Sequence, residues 1–298
     1  MSTTLNDASE VVAADETSPH SSFAQFKSTL KSPPVLVAVA ILGLTALVAL
    51  LAPVLWTSDP IAINPSQRLQ RASAEHWMGT DAFGRDVYSR VMYGARISLV
   101  IGLGVSLASV ALGLVTGVIA GYFRRTDAII MRVMDGVMAI PAILLAIALV
   151  SLSGASLLTV LIAITIPEIP RVVRLVRSVI LTIRGEPYVE AAIALGTPVP
   201  TLLLRHMVPN TVAPLIVQGT FIFASAMLIE ASMSFLGVGL PPQIPSWGNI
   251  MAEGRIYFQL RPGLILYAGI FLALTVLSIN LLGDAMRDAL DPRMARKL

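Results

Sequence analysis

The sequence predicts an all-α integral membrane protein with six transmembrane helices, and three observations carry that expectation. Hydrophobic residues make up 55% of the chain against 13% charged ones, far from the balance of a water-soluble domain. Uncharged runs recur that can cross a hydrocarbon layer of about 30 Å, which takes roughly 20 residues at about 1.5 Å per residue. Lysine and arginine gather at the ends of these runs, where they orient helices, rather than along one stripe as nucleic-acid binding requires. The net charge of +3 therefore does not point to nucleic acid.

The first 33 residues are polar, with Asp7, Glu10, Asp15 and Glu16 among Ser, Thr and Ala, and read as a disordered cytoplasmic tail with a short pre-span segment. Lys27 and Lys31 precede the uncharged run from Ser32 to Ser58, which places this end of the first span in the cytoplasm. The spans are read at 34–55, 95–122, 129–151, 155–180, 209–233 and 262–284. Ser151, Ser153, Gly154 and Ser156 supply the turn between the third and fourth. The organisation is a tail at 1–33, a first span and outer loop at 34–94, a five-span core at 95–284 holding a loop at 186–208, and a cytoplasmic tail at 285–298. With six spans both termini are cytoplasmic, and this topology puts fourteen Lys and Arg inside against seven outside. Gly113, Gly117 and Gly121 recur every four residues, so they line one helix face and admit a close neighbour.

Several chemistries lack their residues. The lysines are Lys27, Lys31 and Lys297, none in a glycine-rich phosphate loop, so the chain does not hydrolyse ATP alone. Without cysteine, and with His20, His76 and His206 scattered, no metal site is expected. No G-x-S-x-G elbow is present. Three acids in or near spans stand out, because charge in lipid is costly. Asp135 and Glu168 have Arg132 and Arg171 one turn away, so local ion pairs are the simplest reading. Glu168 also sits between Pro167 and Pro170, which break helices. Glu230 has no basic neighbour; it lies at the outer boundary, pairs with another helix or subunit, or joins Ser234 as a pathway or gate group.

Between the fourth and fifth spans, Pro187 suits a first helical turn, Glu186 and Glu190 complement the helix dipole, and Gly196 suits a left-handed terminator. Thr197 is placed to cap a second helix with Pro198 at its first position, leading to Pro209 and the fifth span. Ala191, Ala192 and Ala194 are small enough for a partner to pack against. Local features alone fit an ordinary surface helix equally.

Glu190-Ala191-Ala192 with Gly196 and Pro209 at this spacing resembles the EAA loop of ABC importer permeases. Three more segments resemble the C-type permease of the dipeptide, oligopeptide and nickel importer family: Gly79 to Asp86 with Arg90 and Arg96; Ser234 to Gly239 with Pro241, Pro242 and Pro245-Ser246-Trp247-Gly248; and Asn280 to Asp284 with Arg287 and Asp291-Pro292-Arg293. The resemblance implies the type I ABC importer permease fold with a cytoplasmic coupling helix, in a bacterial inner membrane. It further implies a heterodimer with a homologous permease, two ATPase subunits that bind ATP, and an external substrate-binding protein. No cofactor is expected in this chain. Glu190, Ala191, Ala192 and Gly196 carry over as ATPase-docking residues. The cargo implied is dipeptides or oligopeptides, with nickel chelates, glutathione and opine or sugar conjugates as family alternatives.

The three prolines after the fifth span forbid a regular helix, and Trp247 suits a membrane interface. Asp81, Arg85, Asp86 and Trp247 form a candidate outer docking surface, with residues 85–90 as an amphipathic surface helix. The competing class is a proton-coupled secondary transporter using Asp135, Glu168 or Glu230.

Overall fold

The computed structural model describes residues 32–290, and the tails expected over 1–31 and 291–298 lie outside the described residues. Nine helices of eight or more residues are described: α1 (Pro33–Leu51), α2 (Val87–Tyr122), α3 (Arg124–Met138), α4 (Ala142–Ser153), α5 (Leu157–Ile183), α6 (Pro187–Ala194), α7 (Val212–Phe235), α8 (Trp247–Gly254) and α9 (Gly263–Leu290). No strand occurs among the described residues, and one isolated bridge joins Thr80 to Asp86.

Four runs, Pro33–Val54, Val87–Tyr122, Val199–Phe235 and Gly263–Leu290, are long and apolar enough to cross a membrane. A fifth exists if α3 and α4 form one span, but they meet at 86° instead of making the straight helix expected over 129–151. Pro141 is the physical cause, because it cannot donate to the carbonyl one turn back and it biases the preceding residue away from helix. The remaining expected span is α5, which carries Glu168 near its middle and Arg171, Arg174 and Arg177 in its second half. Pro167 and Pro170 do not end this helix. Packing against neighbouring helices holds such prolines inside membrane helices.

The closest pairing in the bundle is α2 against α5, and glycine makes it so. A Cβ at Gly117 or Gly121 would stand 2.7 Å from Val176 Cβ or Ile180 Cβ, and one at Gly113 would collide with Val172. Two four-residue ladders therefore interlock, as the glycine spacing predicts, and α2 runs parallel to α5. Ile101, Val105, Ile164, Val172, Val176 and Ile180 are fully buried along this seam.

Side-chain pairing departs from the sequence expectation at Asp135. Its carboxylate meets Arg174 of α5 at 2.7 Å, not Arg132, and Asp127 takes a bidentate pair from Arg177 at 2.5 and 2.6 Å. The bend at Pro141 lays α3 beside α5, so the acids of α3 find a second helix. Glu168 keeps the expected local pair with Arg171 at 3.1 Å.

Candidate functional site

The loop between α5 and α7 folds as a short capped helix followed by an irregular helical stem. In α6, Pro187 occupies the first turn and Glu190 lies near the N-terminus, where the helix dipole favours an anion. Gly196 takes φ +76°, its N–H donates to Ile193 O at 2.9 Å, and Thr197 N donates to Ala192 O at 3.1 Å. This pair of bonds is a Schellman stop, which satisfies the last carbonyls and turns the chain. The second helical turn starts one residue later than expected, at Val199, with Pro198 rather than Thr197 as its cap.

From there Leu202–Met207 is π-helical and Val208–Thr211 is 3-10, before α7 begins. Pro209 causes the irregularity, since its ring removes one N–H and crowds the carbonyl of the preceding turn. The Asn210 amide donates to His206 O at 2.8 Å and to the Tyr188 hydroxyl at 3.2 Å. That side chain therefore ties α6 to the stem of α7. Val189 and Ala192 are buried in one cluster with Leu202 and Met207, so α6 has its inner face fixed to the same stem. Ala192, one of the expected ATPase-docking residues, faces inward against that stem. Glu190, Ala191 and Gly196 are exposed, as are Leu195 at 87% and Ile193 at 49%. Tyr188, Asn210 and Leu195 were missed by sequence reasoning. A proline-aromatic pair opening a helix and an Asn after Pro209 were the available signals.

At the opposite end of α7 lies a cap made of the 52–86 loop, the start of α2, and α8. Asp86 caps α2 through Ser89 N at 2.7 Å, so residues 87–90 continue into the long helix instead of forming a separate surface helix. Asp81 accepts from Arg85 Nε at 2.6 Å and from the backbone N–H of Phe83 and Arg85. Glu253 of α8, which sequence reasoning missed, pairs with Arg85 and with Arg90, the latter at 3.1 Å. Asp81, Arg85, Asp86 and Arg90 are all buried, with exposures of 8% or less. The candidate outer docking residues thus hold the cap together inside the chain and do not present themselves to solvent here. Burial lifts the Glu253 carboxyl above the ordinary glutamate range, while Arg90 and Arg85 pull it back in part.

Trp247 is fully buried inside the cap; its indole N–H donates to Val91 O at 3.0 Å. Glu230 pairs with another helix, one of the alternatives its sequence left open, through hydrogen bonds and not through a basic residue. Its Oε1 accepts from Ser234 and Ser246 hydroxyls, both at 2.8 Å, and Ser246 in turn caps α8. Gly248 lets α8 approach, since a Cβ there would stand 2.7 Å from Ala231 Cα. Glu230 and Ser234 are therefore brought together as expected, but both are buried at the joint between α7 and the cap.

The described residues thus form a helical membrane bundle with a capped loop helix fixed to one long span. Residues 110–296 match the model of the family described as "Binding-protein-dependent transport system inner membrane component". The chain is 52% identical over 267 residues to the "Probable peptide ABC transporter permease protein y4tQ" of Sinorhizobium fredii, covering 90% of this chain and 91% of that one. It is 43% identical to a dipeptide transport system permease protein of Alkalihalophilus pseudofirmus, over 90% and 89% of the two chains. A glutathione transport system permease protein of Pectobacterium atrosepticum is 40% identical over 74% of each. The chain belongs to the binding-protein-dependent transport inner membrane component family, as a permease subunit that works with other transporter subunits.

Proposed function

We infer that this permease carries peptides inward across a bacterial inner membrane, driven by ATP hydrolysed in separate subunits. The relatives' named substrates, peptides, dipeptides and the tripeptide glutathione, support that cargo class. The proposed complex pairs this chain with a homologous permease, two ATPases on the α6 side, and an external binding protein at the cap. The chain itself is non-catalytic and binds no cofactor. It has six spans, α5 included, with both termini on the α6 side; the parallel run of α2 and α5 supports this count, because it needs α3 and α4 to return across the bundle between them.

The observation that carries the lever is the double attachment of α6 to the stem of α7. A push on the exposed face at Glu190, Ala191 and Leu195 passes through buried Val189 and Ala192 and through the Tyr188–Asn210 bond into the long span. A helix held at one contact would pivot; one held by packing and a hydrogen bond moves its stem with it. Glu190→Lys with Gly196→Asp is the test in the reconstituted complex. Insertion and assembly persist, and substrate-stimulated ATPase activity is lost. Normal transport-linked ATPase activity in that variant defeats the lever.

A further inference from the structure

Two cavities meet at one side chain of α7. The first, about 480 Å³, lies at the α6 end of the bundle between α5, the start of α7 and the end of α9, and is lined by Gln218, Phe221 and Arg287 among others. The second, about 300 Å³, lies towards the cap between α4, α7 and α9, and is lined by Phe221, Ser225, Ser232 and Asn280 among others. Phe221 is the one described residue that lines both. Gln218, Phe221, Ser225, Leu228 and Ser232 follow one another at alternating three- and four-residue steps, which is a single helix face. Asn280 and Arg287, seven residues apart, share a face of α9 in the same way.

The chemistry of this face is unlike that of the rest of the span. Among the described residues the side chains of Gln218 and Asn280, both within spans, have no partner, although unpaired amides are expensive in hydrocarbon, and Arg287 stands exposed and unpaired at the α6 end. A different groove on α7, about 520 Å³ against α1, α2 and α9, is lined mostly by apolar groups such as Leu42, Leu103 and Leu107, and its two hydroxyls, Ser106 and Thr220, are already satisfied by the carbonyls of Gly219 and Val217. One side of α7 therefore suits lipid and another suits water and a polar solute. Within the polar stripe the aromatic ring interrupts the run of hydrogen-bonding groups where the two cavities join.

We propose that Phe221 is the constriction of the translocation path in this subunit, separating a vestibule at the α6 end from one at the cap and limiting the size of solute that passes. Gln218 and Asn280 offer both amide donors and acceptors to a solute with backbone amides, and Arg287 offers a cation to a carboxylate terminus. The inference rests on the permease reading but not on the peptide cargo.

The absence of native cysteine in this chain makes the test clean. The full complex, reconstituted in vesicles without nucleotide, carries Gln218→Cys or Ser232→Cys and meets a membrane-impermeant maleimide from the α6 side. Gln218→Cys labels and Ser232→Cys stays closed; adding Phe221→Ala opens Ser232→Cys, with labelling about tenfold faster. Phe221→Leu, a milder change that guards against misfolding, gives an intermediate rate. Ser232→Cys labelling equally with Phe221 in place, or remaining closed when Phe221→Ala is present, overturns the constriction. Uptake of alanylalanine and of a longer alanine peptide reads the second part: Phe221→Trp retains the first and loses the second. A complex that takes up neither peptide before substitution defeats the peptide reading alone, and the labelling result still decides the constriction.

Discussion

Open space surrounds the position where a Cβ would stand on Gly196, yet its φ of +76° excludes most other residues on backbone grounds alone. An alanine there costs about 1–2 kcal/mol in the left-handed region. Gly196→Ala is therefore expected to lower transport with little change in assembly, and Gly196→Asn to recover most of it, since asparagine tolerates that region. Transport rates of the two variants in one vesicle preparation provide the check. Gly196 was legible because the glycine itself is the signal. Ala192 was not, since three alanines in one helix look alike until packing decides which faces inward. Glu253 was equally silent: an acid on a short helix gives no sign that arginines 163 and 168 residues away will enclose it. Its folded-state carboxyl lies above the ordinary range, so the folded protein holds that proton more tightly than the unfolded chain. The contribution is full below the ordinary glutamate pKa and is lost as pH rises through the raised one. Melting temperature measured from about pH 4 to about pH 7 should show this fall, and Glu253→Gln should flatten it whatever its overall stability.

At the scale of elements, the seam between α2 and α5 depends on backbone approach. Gly117→Leu inserts a side chain where even a Cβ lies 2.7 Å from Val176 Cβ, and it should destabilise the pair by at least about 1–3 kcal/mol. A drop in detergent melting temperature for Gly117→Leu, set against an unchanged value for Gly43→Leu, where nothing lies within 4 Å, tests this. Hydropathy runs revealed the elements themselves well, because twenty uncharged residues have few alternatives. Their shapes were less legible. Pro141 separates α3 from α4 whereas Pro167 and Pro170 stay inside α5, where neighbouring helices pack around them. Residues 85–90 looked amphipathic because their charges were read as solvated; the Asp81–Arg85–Glu253–Arg90 network instead buries them and lets α2 begin at Val87.

Across the whole molecule, two ends do different work on one long helical run. The α6 loop is bound to the stem of α7 by packing and a tyrosine–asparagine bond, while the far end of α7 is joined to the cap by Glu230 and two serines. In the proposed lever, motion imposed at the α6 end passes along this run to the cap, past Phe221. The six-span topology predicts that single thiols at Thr197→Cys and Gln243→Cys label from opposite faces of right-side-out and inverted vesicles. Labelling of both from one face sinks it. The sequence by itself determined the solvent, the approximate helical runs, the capped loop helix and the glycine seam, because each depends on local composition or spacing. Only the tertiary structure decided that the cap's charges are internal, that Asp135 answers to Arg174, and that Gln218, Asn280 and Arg287 share a polar face around Phe221. Those outcomes depend on which helices become neighbours, and a buried charge or an unpaired amide gains its meaning from atoms distant in the chain.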